Sequence, residues 1–282
     1  MVDWTSPAEI AKEQRAFVTM VHVFSGLYMW EFLTHLDFEW SFITGKRQFH
    51  WPMIFYFLGR YSQLCSLVGL YVHDVLFDLT YVCSPHVNCG ALFTFSQLMG
   101  QAAIGSASLN LAIRAMVLWY WKRYIVIPLV ILILGHWALL MQGVQIKGVF
   151  DLQANACVQF SSGDWTLPAT FIYSMCLDFT VFCLSMYQLV IVQGRRTHLL
   201  NLLFTDGLIY FGCAFLTNVP AVVFMLLKLN SETPVLSGFP VTVVSTVIAC
   251  RAVRRLAKFQ TGGAQVSVIS FLVHSDFTSA LA

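Results

Sequence analysis

Seven long apolar stretches constrain the fold of this chain more than any other feature of its sequence. A helix needs about 20 residues to cross a hydrocarbon core that is ~30 Å thick. Each of the seven stretches is close to that length or longer. They are Phe17–Leu36, Trp51–Val72, Leu92–Trp119, Tyr124–Gln142, Leu167–Val192, Leu203–Leu227 and Pro234–Ala249. The sequence therefore predicts an all-α membrane protein, a bundle of seven transmembrane helices.

The basic residues lie mainly in the connections on one side of this predicted bundle. Alternate connections contain Lys46, Arg47, Lys122, Arg123, Arg195, Arg196, Arg251, Arg254, Arg255 and Lys258. The opposite side contains only Lys12, Arg15, Lys147 and Lys228. Because cytoplasmic loops retain Lys and Arg, we expect the amino terminus outside the cell and the carboxyl terminus inside.

The domain organisation follows from this topology. We predict an extracellular amino terminus at residues 1–16, a transmembrane domain at residues 17–258 and a mobile cytoplasmic tail at residues 259–282. The chain is 58% hydrophobic and 11% charged, which is far from the range of soluble domains. Its net charge of +2 gives no indication of a nucleic-acid partner. We expect an integral protein of the plasma membrane or another secretory-pathway membrane, with the lipid bilayer as a partner.

Three cysteines are predicted to face the oxidising outer side: Cys83, Cys89 and Cys157. Disulfides persist on that side of a membrane. A bond between Cys89 and Cys157 would tie the third helix to the loop above it, and we favour this pair. The alternative, Cys83 with Cys89, would close a small local loop, and sequence alone does not fix the connectivity.

Two arginines and two carboxylates are predicted inside the membrane at a similar depth, in its inner half: Glu31, Arg60, Arg114 and Asp206. Ionisable groups in spans are costly and usually face the bundle interior. We therefore predict an inner ionic cluster that links helices 1, 2, 3 and 6. Ser106, Asn110 and Arg114 follow one another at i+4 and form a polar stripe on the third helix. In the alternative interpretation, the two arginines extend toward lipid phosphates without pairing.

A second group of polar residues is predicted in the outer half of the bundle, around Asp178 near the middle of the fifth stretch. The group consists of His22, Gln97, Gln101, His136 and Asp178. These residues are expected to line an outward-facing cavity for a small molecule or a cation. Alternatively, each makes a single interhelical hydrogen bond. Pro220 is expected to kink the sixth helix, because proline removes a backbone hydrogen bond.

The sequence lacks the residue patterns that several kinds of membrane-embedded enzyme or photoreceptor require. The seventh stretch contains no lysine, which excludes a retinal Schiff base. The histidines are scattered rather than paired as His-x-x-x-His, which disfavours a zinc hydrolase. No Gly-x-Ser-x-Gly elbow or phosphate-binding loop is present. We predict no cofactor, no metal and no catalytic residue, and we leave a membrane-embedded hydrolase as the least favoured alternative.

Longer strings of the sequence permit comparison with known families. They are the runs Trp30–Trp40, Thr44–Arg47 and His50–Tyr61, the segment around Arg114, and residues 131–137, 204–211 and 248–256. Together they resemble a large group of seven-span proteins of mushroom-forming fungi, whose shared domain carries only an unknown-function label. The resemblance covers about residues 15–258 and implies the seven-span fold. It implies no activity, and its motifs contain the four residues of the predicted inner cluster.

The topology, the predicted outer disulfide and the inner charges favour a receptor-like or sensory protein. A ligand would then bind from outside, and a cytoplasmic partner would bind the inner helix ends. The main alternative is a carrier of small solutes or protons that is centred on Asp178.

Overall fold

The described part of the chain is a bundle of long helices with one short β-hairpin. The computed structural model describes residues 7–46, 49, 51–79, 89–143, 147–151, 156–160, 166–192, 212–213, 215–223 and 233–261. In chain order these form α1 (Pro7–Thr34), α2 (Leu36–Ile43), α3 (Met53–Leu79), α4 (Cys89–Leu118), α5 (Arg123–Gly143), β1 (Lys147–Asp151), β2 (Ala156–Phe160), α6 (Thr166–Val192), α7 (residues 215–223) and α8 (Thr233–Thr261).

Four helical segments are long and apolar enough to cross a membrane. They are Arg15–Thr34, Gly90–Leu118, Arg123–Gln142 and Pro168–Gln188. They coincide with the first, third, fourth and fifth of the predicted stretches. The chain is therefore a helical membrane protein. α3 and α8 have comparable lengths of 27 and 29 residues, but each contains at least three charged residues.

The chain reverses direction between α1 and α3 through the eight-residue helix α2. α1 ends at Thr34, and the backbone N–H of Phe38 donates to the His35 carbonyl. α2 presents Phe38 and Glu39 to the protein interior, whereas Trp40 and Ile43 are exposed. Gly45, in the left-handed region at φ 69°, follows the end of α2. A carboxylate from the connection between two long helices is thereby turned back into the bundle.

A tight turn joins α4 to α5. Tyr120 and Trp121 both have positive φ, at 52° and 54°. The backbone N–H of Trp121 donates to the Met116 carbonyl at 3.1 Å, which satisfies a carbonyl of the last turn of α4 in the manner of a helix C-cap. The left-handed backbone conformation is costly for bulky residues such as these two. Trp121 offsets part of that cost by packing against the apolar core.

α3 and α4 run antiparallel and approach closely along a seam of small residues. A Cβ atom added at Gly69 would lie 2.1 Å from Ser96 Oγ, and one at Gly59 would lie 3.1 Å from Ser106 Cβ. Small residues are the usual means by which membrane helices approach each other, since apolar side chains gain little by leaving lipid.

The largest apolar cluster lies among α4, α5, α6 and α8. It includes Leu111, Ala112, Ala115, Met116, Leu129, Ile133, Leu177, Val181 and Ile248. α8 also packs against α1 and α3, and β1 packs against α4. β1 and β2 are antiparallel, with Phe150 opposite Cys157. α8 thus packs against α1, α3 and α4, which makes it an element where polar groups from several helices meet.

Exposed aromatic and basic side chains collect at the end of the bundle where α1 and α4 end. Trp40, Trp51, Tyr120 and Tyr124 are exposed there, together with Lys46, Lys122 and Arg123. We call this the basic end.

Candidate functional site

Glu31 lies near the end of α1 and is shared by two arginines of α8. Its side chain is 5% exposed. Arg251 binds it with both arms of the guanidinium fork, from Nε to Oε1 at 3.1 Å and from Nη2 to Oε2 at 2.6 Å. Nη2 of Arg254 also donates to Oε1. Bidentate contact between arginine and a carboxylate is strong and directional, so Glu31 joins α1 to α8. We call Glu31, Arg251 and Arg254 the Glu31 cluster.

The two arginines of the Glu31 cluster differ in their access to water. The Arg251 side chain is 51% exposed, whereas that of Arg254 is 4% exposed. Only one partner of the Arg251–Glu31 pair is exposed, so water can solvate the Arg251 guanidinium when it separates but not the buried carboxylate. Arg254 lies against the same carboxylate and still compensates its charge when Arg251 leaves.

Arg60, on α3, is buried against α1 and α2. Its side chain is 2% exposed, and Nε lies 2.5 Å from Oε1 of Glu39. This is a close ionic contact rather than an aligned hydrogen bond. Nη1 donates to the Tyr56 hydroxyl at 3.0 Å, and Nη2 donates to the Phe32 carbonyl at 2.6 Å. The other Glu39 oxygen accepts a hydrogen bond from Tyr61 at 2.6 Å, so the Arg60–Glu39 pair is held on several sides.

Arg114, on α4, also reaches α8. Its Nη2 donates to the carbonyl oxygen of Ala252. Ala252 is adjacent to Arg251, so the polar groups of α1 and α4 meet on the same turn of α8. Asp206, the fourth residue of the predicted inner cluster, lies outside the described residues.

The three described residues of the predicted cluster, Glu31, Arg60 and Arg114, therefore lie at the basic end, with partners that differ from those expected. Glu31 pairs with Arg251 and Arg254, and Arg60 pairs with Glu39. The sequence places Arg251 and Arg254 in an inner connection and gives no prediction for Glu39. The i, i+3 spacing of Arg251 and Arg254 on one helical face is a signal that indicates a shared partner. The sequence signal for Glu39 is weaker. Glu39 shares a helical face with the apolar residue Phe42, three positions later, and only this placement indicates that its side chain is buried.

Asp178 lies on α6, where two neutral side chains contact it. Ser108 of α4 donates to Oδ1 at 3.4 Å, and Asn218 of α7 donates to Oδ2 at 2.9 Å. All three residues are buried. Because Asn218 precedes Pro220 by two residues, the Asp178 carboxylate contacts α7 next to the proline that the sequence predicts as a kink. We call Asp178, Ser108 and Asn218 the Asp178 site.

The other four residues of the predicted outer cavity have separate surroundings. His136 is buried and stacks on Tyr173 with ring centroids 6.1 Å apart. Gln101 is buried, and its Oε1 has no hydrogen-bond partner within the described part of the chain. Gln97 is half-buried. His22 is exposed and lines a groove between α1 and α3, next to Tyr71.

The cysteines that the structure describes with their side chains are unpaired: Cys65, Cys176, Cys183, Cys213 and Cys250. No two cysteines in this part lie at disulfide distance. Cys83 and the side chains of Cys89 and Cys157 fall outside the described set. Within the same described residues, no group of three His, Cys, Asp or Glu side chains has the arrangement of a metal site.

We compared the chain with protein families, curated proteins and solved structures. No family model, no curated protein and no solved structure matches the chain.

Proposed function

We propose that the protein is a seven-span, receptor-like membrane protein with its amino terminus outside the cell. The four apolar helical segments account for four of the spans. α3, α8 and the segment that contains α7 supply the other three. Aromatic residues concentrate where a bilayer meets water, and Lys and Arg concentrate on the cytoplasmic side. The exposed aromatic and basic side chains of the basic end support its assignment to the cytoplasmic face.

The observation that carries the receptor-like proposal is the sharing of Glu31 between a buried and an exposed arginine. A receptor needs an element with two arrangements that a ligand on the other side can bias. In one arrangement both arginines bind Glu31. In the other, Arg251 turns to water and Arg254 keeps the carboxylate compensated. Arg251 is then available to an anionic surface on a cytoplasmic partner.

Long helices connect this switch to the outer side. α8 carries Arg251, Arg254 and the Ala252 carbonyl on adjacent turns. A shift of α8 against α1 and α4 changes all three contacts together. Positive charges outnumber negative ones among the described side chains of this end: Lys46, Arg60, Arg114, Lys122, Arg123, Arg251, Arg254 and Arg255 against Glu31, Asp37 and Glu39. This excess of positive charge supports Asp206 as a further partner and favours an acidic docking surface.

A spin-label distance measurement tests the switch. Labels are placed at Leu33 on α1 and Arg255 on α8, both exposed, in a cysteine-free background in lipid nanodiscs. Glu31→Gln weakens the contact with α8, and we expect a second, longer distance population. Asp37→Asn is the matched control, because it also replaces a carboxylate by a carboxamide, at an exposed position on α2. It should leave the distance distribution unchanged. A single unshifted distribution in Glu31→Gln, in protein that remains monodisperse, contradicts the proposal.

The Asp178 site favours a carrier of protons or small cations as the second candidate. Among the described residues, the hydrogen-bond partners of the buried Asp178 carboxylate are both neutral. Such a carboxylate is unusual in a membrane and marks ion pathways in transporters. Reconstituted vesicles that contain a pH-sensitive dye provide the test. A flux that requires the protein and is abolished by Asp178→Asn would establish the carrier and reject the receptor-like proposal. No flux in either protein would reject the carrier.

A further inference from the structure

A groove of 370 Å³ lies between α1 and α3. Its volume falls in the range of small-molecule sites, which is about 300–1,000 Å³. Cross-helix contacts pair His22 with Tyr71 at one end and Phe32 with Tyr61 at the other, so the two helices run antiparallel. The groove begins at His22 and ends near Met29 and Leu64. This length of seven residues corresponds to about 10 Å.

The two ends of the groove differ in polarity. His22, Ser25 and Tyr71 place polar atoms at the end nearer the amino terminus of α1. The remaining side chains of the lining are apolar: Met29, Leu64, Leu67, Val68 and Val72. The groove therefore suits an amphiphile with a small polar end and an apolar body.

Ser25 supplies an unsatisfied hydroxyl at the polar end. The residue is 1% exposed, and its Oγ has no hydrogen-bond partner in the described structure. Thr19 and Thr34 on the same helix behave differently, since each donates to the carbonyl four residues earlier at 2.8 Å. A buried hydroxyl without a partner is costly. The Oγ atom is closed to solvent in the empty groove, so a ligand removes this cost when the Ser25 side chain rotates toward it.

His22 complements Ser25. Its Nδ1 lies 2.7 Å from the Val18 carbonyl. Since a carbonyl only accepts, Nδ1 carries the hydrogen, and in the neutral ring Nε2 accepts. A ligand hydroxyl can thus accept from Ser25 and donate to His22.

We propose that this groove is a binding site for a sterol, with the sterol hydroxyl between Ser25 and His22 and its rings against the apolar floor. The polar end, from His22 to Ser25, lies about 7–12 Å below the start of the first predicted span at Phe17. A charged phospholipid headgroup at that depth is costly, whereas a hydroxyl that is hydrogen-bonded there is not. Gly26 leaves the wall flat, because no atom lies within 4 Å of the position of an added Cβ. A flat apolar wall fits a rigid ring system better than a flexible acyl chain.

Photolabelling of the full-length protein in nanodiscs tests the proposal. The probe is a photoactivatable sterol with a free hydroxyl, and labelled peptides are mapped by mass spectrometry. We expect labels on the groove-lining segments of α1 and α3, with competition by unlabelled sterol. Gly26→Leu adds a bulky side chain to the groove lining, at a position where a Cβ meets no atom within 4 Å, and should reduce labelling at least tenfold. Ser25→Ala removes one hydrogen bond of ~1 kcal/mol and should reduce labelling about fivefold.

Val23→Leu is the matched control, because Val23 is 62% exposed on the same helix and does not line the groove. It should label as the natural protein does. A 3-deoxy sterol probe that labels equally well contradicts the role of the hydroxyl. Labels outside the groove, unchanged labelling of Gly26→Leu, or competition by phospholipid alone overturn the site. If Gly26→Leu fails to fold, Ser25→Ala and the 3-deoxy probe decide the question.

Discussion

Arg60 and Arg254 are buried to a similar extent at the basic end, but their charges are compensated in different ways. Arg60 has Glu39 as its carboxylate partner, with additional support from the Phe32 carbonyl and from the Phe32 ring, whose centroid lies 4.5 Å from Cζ. Arg254 shares Glu31 with Arg251. A carboxylate with two cations tolerates the departure of one. Arg60 pairs with Glu39 alone among the described carboxylates. We therefore expect the Arg60–Glu39 pair to stabilise the fold and, under the proposed function, the Glu31 cluster to switch.

Glu39→Gln should destabilise the protein by ~3–5 kcal/mol, because it leaves the buried Arg60 charge without its carboxylate. The free energy of unfolding in mixed micelles, measured by titration with a denaturing detergent, is the readout. Asp37→Asn on the same short helix is the control, since Asp37 is exposed. Equal stabilities of the two variants would contradict the assignment of Glu39 as the partner of Arg60.

At the scale of elements, small residues let α3 and α4 pack closely against each other. Large apolar side chains pack α4 against α5, α6 and α8. The α3–α4 seam leaves almost no free volume at Gly69, where Ser96 occupies the space that a Cβ would need. Ser66 adds a cross-helix hydrogen bond to the Ser96 carbonyl at 3.0 Å. The seam therefore fixes the position of α4, and α4 presents Ser108 to the Asp178 site and Arg114 to α8.

Gly69→Ala should destabilise the bundle by ~1–3 kcal/mol through overpacking against Ser96. The second change Ser96→Gly should recover most of this loss, since it removes the clashing side chain. Gly26→Ala is the control, because its Cβ meets open space. Thermal unfolding in nanodiscs measures all four proteins. A double variant that is no more stable than Gly69→Ala would show that the seam is not the cause.

The outer disulfide between Cys89 and Cys157 stays a prediction at the scale of elements. Cys89 begins α4, and β1 packs against α4 while pairing with the strand that contains Cys157. Peptide mapping of unreduced protein should find Cys89 joined to Cys157, and reduction should lower stability by ~2–4 kcal/mol. A Cys83–Cys89 bond, or three free thiols, would reject this pairing.

At the scale of the whole molecule, the proposed topology places the polar end of the α1–α3 groove and the Glu31 cluster on opposite sides of the membrane. The polar end of the α1–α3 groove lies toward the amino-terminal end of α1, and the Glu31 cluster lies at the opposite end of that helix. α8 contacts α1, α3 and α4. A ligand that changes the packing of α1 or α3 therefore acts on the helix that carries both switch arginines.

Engineered glycosylation acceptors test this topology. Sites at residue 5 and within residues 151–155 should be modified, because both are placed outside the cell. A site after Gly262 should remain unmodified, because the carboxyl terminus is placed in the cytoplasm. The shift in electrophoretic mobility on glycosidase treatment is the measurement. The reverse pattern would overturn the orientation, and modification of all three sites would overturn the odd number of spans.

The sequence by itself determined the membrane class and the helical nature of this protein, because length and apolarity are local properties of a segment. It also placed the charges of Glu31, Arg60 and Arg114 at a similar depth, since depth follows from the rise per residue. Glu31 and Arg60 are buried, and Arg114 is half-buried. Only the tertiary structure decided their partners. Each residue turns a helix by about 100°, so the pairing depends on the rotation of every helix, and Glu39 entered the bundle only because α2 folds back. The contact of Asp178 with Ser108 and Asn218 depends on the packing of three helices, which no local pattern encodes.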